Sequence, residues 1–421
     1  MKFPRLRSAA AFKQMGPGLV TGAADDDPSG IATYSQAGAR FGFDLLWTMG
    51  LTFPLMVAVQ LVAARIGRVT GQGLAANMRA VLPGPLVGTL VLMLFIANTI
   101  NIGADLAAMG AAAALVVPLD PQIFVIGFAL LSLGLQLFIP YHRYAGLLKW
   151  LTLVLLAYVA VLFAVKLDWG EVGLALIHPK APSDAKELQM IVAIFGTTIS
   201  PYLFFWQSSQ EVEEIGQHPS ELALRYAPSQ AKAQFGRIRF DTIAGMAVSN
   251  LIAIAIIICT AATLHVGGTG NIETAADAAQ ALRPAAGDFA FALFSLGIIG
   301  TGLLAVPVLA GSAAYAVGES RGWKTGLENR PWEARGFYTI IGLATLFGLG
   351  INYVGLDPIK ALIWSAILNG VIAVPIMAAM MVVAARRAQL GRFVAGPVLL
   401  LFGWAATAVM AAAVIAMFVV R

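Results

Sequence analysis

Apolar residues along this chain come in long runs, and the polar positions between them are short and clustered. Taking the runs between charged or Gly/Pro-rich breaks predicts helices near 16–38, 43–64, 86–116, 121–140, 145–166, 188–214, 238–265, 285–317, 336–355, 359–385 and 394–420. An α-helix needs ~20 apolar residues to cross a bilayer, so the pattern predicts eleven spans. Three runs exceed a straight crossing, which predicts tilt or interfacial extension. The longest polar connections, roughly 167–187, 215–237 and 318–335, are too small for a separate domain. Residues 1–421 are therefore expected to form one all-α membrane domain, with no solenoid repeat and no low-complexity tract.

Composition sharpens that picture. Of the 421 residues 59% are hydrophobic and 12% charged, about half the charge of an ordinary soluble domain. Mean hydropathy is +0.81. A net charge of +5 could suit an acidic partner such as nucleic acid, but the basic residues sit in short loops between apolar runs, where they set topology. No nucleic-acid partner is expected. Placing the N-terminus in the cytoplasm puts 20 of the 27 Lys and Arg residues inside, among them Lys2, Arg65, Arg68, Arg237, Arg239 and Arg387, and 7 outside. Span count and orientation thus agree on a multi-pass protein of the plasma membrane. The single cysteine, Cys259, lies within an apolar run, which excludes a disulfide framework or a Cys-rich metal site. His142, His178, His218 and His265 fall at span ends or in loops, which argues against a His-rich one. The basic N-terminus lacks an apolar core followed by a small-residue cleavage site, so no cleavable signal peptide is expected.

Chemistry concentrates at two breaks. The first run reads GLVTGAADDDPSGIATYSQAGA and sets Asp25, Asp26 and Asp27 directly before Pro28. A carboxylate near the bilayer centre costs at least ~2.5–3.5 kcal/mol on insertion scales, so three in succession require water, a cation or protonation. Pro28 removes a backbone donor and Gly30 tolerates unwound geometry, which predicts a broken helix. The sixth run, QMIVAIFGTTISPYLFFWQSSQEVEE, is interrupted by Pro201 after Thr197, Thr198 and Ser200. Interrupted helices in matching positions of two inverted halves are how many transporters bind substrate near the midplane. Here the halves would be about 16–166 and 188–385, with 394–420 an extra helix.

At these residues the chain resembles the Nramp metal-ion transporters, and most closely their magnesium-transporting relatives. The family's first helix carries Asp-Pro-Gly-Asn and then a segment like ATNIEGGARYGYSLLW; here the stretch is DPSGIATYSQAGARFGFDLLW. Family Asp and Pro fall on Asp27 and Pro28, Gly and Asn on Ser29 and Gly30. The sixth-helix GATIMPHNLFLHS corresponds to GTTISPYLFFWQS, so Ser200, Pro201 and Tyr202 stand at Met, Pro and His. ADLAAMGAAAAL around Asp105 is similar to DLAEFLGAAIGL, and LDPIKALIWS to LDPTRVLVLS. The resemblance spans most of the chain and implies a LeuT-like fold of five-plus-five inverted repeats, broken at helices 1 and 6. It also implies a metal site at Asp27, Gly30, Thr197 and Ser200, with Asp26, Asp25, Asp105, Tyr202 and Glu211 as weaker candidates along the ion path. The divalent ion is the substrate, and no cofactor is expected.

Departures from the family pattern carry their own expectations. Losing the Met thioether hardens the site, since oxygen donors suit Mg²⁺ and Mn²⁺ whereas soft sulfur favours other transition metals. Gly30 in place of Asn is expected to delete an oxygen ligand and enlarge the cavity, as suits an ion that keeps several waters. With Tyr202 for His and Ala108 for the third-helix Glu, proton coupling is expected not to be obligatory. A proton-coupled Mn²⁺/Fe²⁺ symporter is the alternative. Rivals of another class are an amino-acid or organic-cation carrier on the same scaffold, and an intramembrane aspartic protease using Asp27 and Asp105. Asn98, Asn101, Asn250 and Asn369 are expected to hydrogen-bond between helices, and Glu211 to sit at a solvated helix end. The assembly expected is a monomer.

Overall fold

The computed structural model describes residues 17–139, 152–268, 270–355 and 357–420. Among the described residues the regular structure is helical throughout. The first predicted span is two half-helices, α1 (Pro17–Asp25) and α2 (Pro28–Phe41). There follow α3 (Trp47–Thr70), α4 (Leu74–Val81), α5 (Gly84–Ala114), α6 (Pro121–Phe138), α7 (Leu156–Ala164) and α8 (Trp169–Ile177). The second half opens with another interrupted pair, α9 (Ala185–Thr198) and α10 (Pro201–Gln217). Then come α11 (Ala231–Thr260), α12 (Ala275–Gln280), α13 (Ala290–Arg321), α14 (Arg335–Ile351), α15 (Pro358–Ala384) and α16 (Pro397–Val419).

Among the described residues nine helical segments are long and apolar enough to cross a bilayer. The other two expected spans are the first, divided at its aspartates, and the fifth, whose predicted start at 145 lies outside the described residues. Three helices, α4, α8 and α12, lie in stretches read as connections; at 8, 9 and 6 residues they are too short to register in a hydropathy pattern.

Proline alone does not explain the breaks. Pro54, Pro307 and Pro375 lie inside α3, α13 and α15 without ending them. Pro28 and Pro201 instead open new half-helices, where a fixed φ and a missing N–H are no handicap. Each follows a polar residue in extended conformation, Asp27 (φ −71, ψ 168) or Ser200 (φ −73, ψ 130), which can serve the exposed backbone groups.

The broken pairs form the centre of the molecule. In the most apolar stretch of Ala185–Gln217, 94% of residues are buried, against 22% in α6 and 28% in α16, so the latter two face lipid. Half-helix α1 packs along α11, α9 along α15, and α3 along α10. A Cβ on Gly22 would lie 2.4 Å from the backbone carbon of Gly245; only glycine allows α1 to approach α11 so closely.

Candidate metal-ion site at the helix breaks

Each break proline lacks the N–H that would bond the carbonyl four residues earlier. Pro28 therefore releases the Ala24 carbonyl, and Pro201 releases that of Thr197. Both find hydroxyl donors instead. Tyr202 Oη donates to Ala24 O at 3.0 Å, and Ser200 Oγ lies 2.7 Å from Thr197 O and 2.8 Å from Gly196 O. The two breaks are thereby stitched together, because Tyr202 belongs to α10 and Ala24 to α1.

Asp27 sits between them, 1% exposed. Its Oδ1 accepts from Gly30 N and Ser29 Oγ, both at 2.7 Å, and so caps α2. Its Oδ2 accepts from Asn101 Nδ2 at 3.0 Å and lies 3.5 Å from Tyr202 Oη. The carboxylate thus rests at the positive end of α2, while the carbonyl-bearing ends of α1 and α9 point their negative ends into the same region. A cation there would meet one full negative charge and several neutral oxygens. Among the described residues no three His, Cys, Asp or Glu side chains converge as a metal cluster, so the three aspartates do not form a cage. Asp25 Oδ2 and Asp26 Oδ1 instead approach Ser249 Oγ of α11, at 2.7 and 3.0 Å.

A profile of the family described as natural resistance-associated macrophage protein-like (Nramp) matches residues 18–420. The chain belongs to that family. A divalent metal cation transporter, MntH, of Acidiphilium cryptum is 29% identical over 390 residues, covering 89% of this chain and 83% of its own. Its namesake in Yersinia pestis is 29% identical over 297 residues, covering 69% of this chain and 68% of its own. In shape the chain is similar to the Eremococcus coleocola manganese transporter, with a TM-score of 0.74 at 18% identity over 99% of this chain and 89% of that one. MhsT, solved with L-phenylalanine, gives 0.65 at 13% identity over 96% of this chain and 98% of its own. The Nramp-family chain therefore has the LeuT-like fold, and the intramembrane protease reading falls away.

The geometry departs from several expectations. Gly30 does not leave an enlarged cavity: a Cβ on it would stand 3.0 Å from Thr197 Oγ1 and 3.3 Å from the Tyr34 ring. The space gained by losing a side chain is taken by the Thr197 hydroxyl. Glu211 is not a solvated helix end but fully buried, with Oε2 2.6 Å from Arg237 Nη2. Asn98 bridges helices as expected, donating to Leu309 O and Ser312 Oγ at 2.8 and 2.7 Å. Asn369 does not, for neither its Nδ2 nor its Oδ1 finds a partner among the described residues. Asp105 is fully buried with both carboxylate oxygens unpartnered among the described residues. Asn101, expected only to link helices, bonds Asp27 directly; the signal available was an amide one turn before Asp105 on the third run.

Polar networks bridge helices on both sides of the site. On one side Gln36 of α2 donates to Asn271 Oδ1 at 2.7 Å and accepts from Ile272 N at 2.9 Å. Beneath that loop lies a cavity of about 210 Å³ walled by Ile31, Ser35, Ala108, Phe294, Glu273 and Asp357. On the other side Thr21 Oγ1 of α1 donates to Gln207 Oε1 of α10 at 2.5 Å. Below it, Arg68 bonds Glu221 at 2.5 Å, Glu221 accepts from Gln234 at 2.8 Å, and Arg237 joins Gln234 to Glu211.

Proposed function

We propose that this Nramp-family chain carries a divalent metal ion, Mg²⁺ or Mn²⁺, across the cytoplasmic membrane by alternating access, as a monomer with its N-terminus inside. Residues 16–166 and 188–385 act as the two repeats, and 394–420 as an accessory helix. Asp27 supplies the charge, while the carbonyls of Ala24 and Thr197 and the hydroxyls of Thr197, Ser200 and Tyr202 supply neutral oxygen. The observation that carries the reading is the pairing of two proline-released carbonyls with hydroxyl donors around one buried carboxylate. A bound cation would compete with those hydroxyl donors for the same carbonyl oxygens. Oxygen donors without a thioether favour the harder ions, and the A. cryptum and E. coleocola relatives are named for divalent metal cations and manganese.

Transport proceeds without obligatory proton coupling, because Tyr202 and Ala108 replace titratable side chains of the family pattern. A proton-coupled Mn²⁺/Fe²⁺ symporter is the second reading, and Asp105 favours it: proton relays are built on intramembrane carboxylates of this kind. Uptake of Mg²⁺, Mn²⁺ and Ca²⁺ into proteoliposomes, with luminal pH read in parallel, separates the two. Metal entry at constant luminal pH is the expected outcome. Mn²⁺ entry with acidification establishes the symporter instead, and amino-acid uptake without metal entry overturns both.

A further inference from the structure

A groove of about 640 Å³ runs between α3, α11 and α16. Its wall is apolar, formed by Phe53 and Val57 of α3, Ile243 of α11, and Val398 and Phe402 of α16. Arg65 and Arg239 close one end. Arg65 lies over the Phe235 ring, 4.3 Å from its centroid, and its Nη1 donates to the carbonyls of Phe393 and Val394 at 3.2 and 3.4 Å. Its Nε and Nη2 make no hydrogen bond among the described residues, and Arg239 is exposed. Neither arginine has a carboxylate in ion-pair reach among the described residues.

Depth and charge identify the occupant. Phe53 and Arg65 stand twelve residues apart on α3, about 18 Å at 1.5 Å per residue. One leaflet of a ~30 Å hydrocarbon core is about 15 Å deep. The groove therefore reaches from the bilayer middle to the level of the phosphates. Both arginines belong to the basic set assigned to the cytoplasm. We propose that the groove binds an anionic phospholipid of the cytoplasmic leaflet, its phosphate on Arg65 and Arg239 and an acyl chain along Phe53, Val57 and Phe402. Basic pockets between membrane helices on this side have the chemistry of such sites. A seated lipid joins α16 to α11, the helix whose Ser249 holds Asp25 and Asp26.

The test uses the full-length protein in mild detergent, given palmitoyl-oleoyl phosphatidylglycerol or the matching phosphatidylcholine. Retained lipid is counted by native mass spectrometry and Tm measured in parallel. The anionic lipid should be retained preferentially and raise Tm more. Arg239→Gln should weaken that retention about fivefold, the loss of one basic contact near a membrane surface. Val398→Trp should abolish it by filling the wall; both side chains are exposed, Val398 by 68%, so both variants fold. Equal retention of the two lipids, unchanged retention in both variants, or a Tm rise reproduced by inorganic phosphate each overturns the proposal.

Discussion

Asp27→Asn separates folding from ion handling, because the two use different properties of one side chain. Folding uses Oδ1 as an acceptor for Gly30 N and Ser29 Oγ. Asparagine caps a helix about as well as aspartate. Its new amide would face Asn101 Nδ2 donor to donor, but Asn101 Oδ1 has no partner among the described residues, so a flip of that amide restores the bond. Stability is therefore expected to change by less than about 1 kcal/mol. Ion binding, as proposed, uses the charge. Unit charges 4 Å apart attract by about 4 kcal/mol at an effective dielectric of ~20, and a divalent ion loses at least that. At 1.4 kcal/mol per decade the affinity falls about a thousandfold. Mn²⁺ and Mg²⁺ uptake into proteoliposomes, compared between parent and variant at matched Tm, measures it. A variant that transports like the parent would refute the assignment of Asp27 as the charged ligand.

Three further outcomes are expected. Ser200→Met puts a thioether beside the Thr197 carbonyl and should shift competition uptake from Mg²⁺ toward softer transition-metal ions; an unchanged rank order counts against Ser200 as a selectivity position. Gly22→Leu meets the Gly245 backbone, where even a Cβ would lie 2.4 Å away, and should cost about 1–3 kcal/mol of stability and slow uptake; parental Tm and rate would remove that contact from the account. Glu221 lies outside the spans, and although partial desolvation pulls its carboxyl up, the Arg68 hydrogen bond and charge hold it below the ordinary 4.5. Its contribution is therefore present above the unfolded value and lost as pH falls through the folded one. Tm of Glu221→Gln should lie below the parent's at neutral pH, with the gap closing as pH falls below the ordinary carboxylate value; a gap independent of pH would contradict this.

The architecture is legible in the sequence because its signals are collective. Long apolar runs, basic loops and two prolines beside polar clusters each repeat the same message. Pairwise detail is not collective, and there the sequence falls short. Asn101 reaches Asp27 across 74 residues, and no periodicity marks that bond. Glu211 reads as solvated from its neighbours Glu213 and Glu214, yet burial follows from Arg237 on another helix. Gly30 reads as added space because a sequence shows what a residue lacks and not which neighbour moves in; here Thr197 does. Asn369 reads as an interhelical donor by type alone, and its amide finds no partner among the described residues.

Gln36 lies nine residues past Asp27 on α2, a lever arm of about 13.5 Å. One helix therefore carries the proposed ion ligand at its inner tip and a fastening to the 271–272 loop toward its outer end. A movement of α2 as one body would displace the carboxylate and load the fastening together. By linkage, an ion that binds the fastened and unfastened arrangements with different affinity shifts the fastening by that same factor.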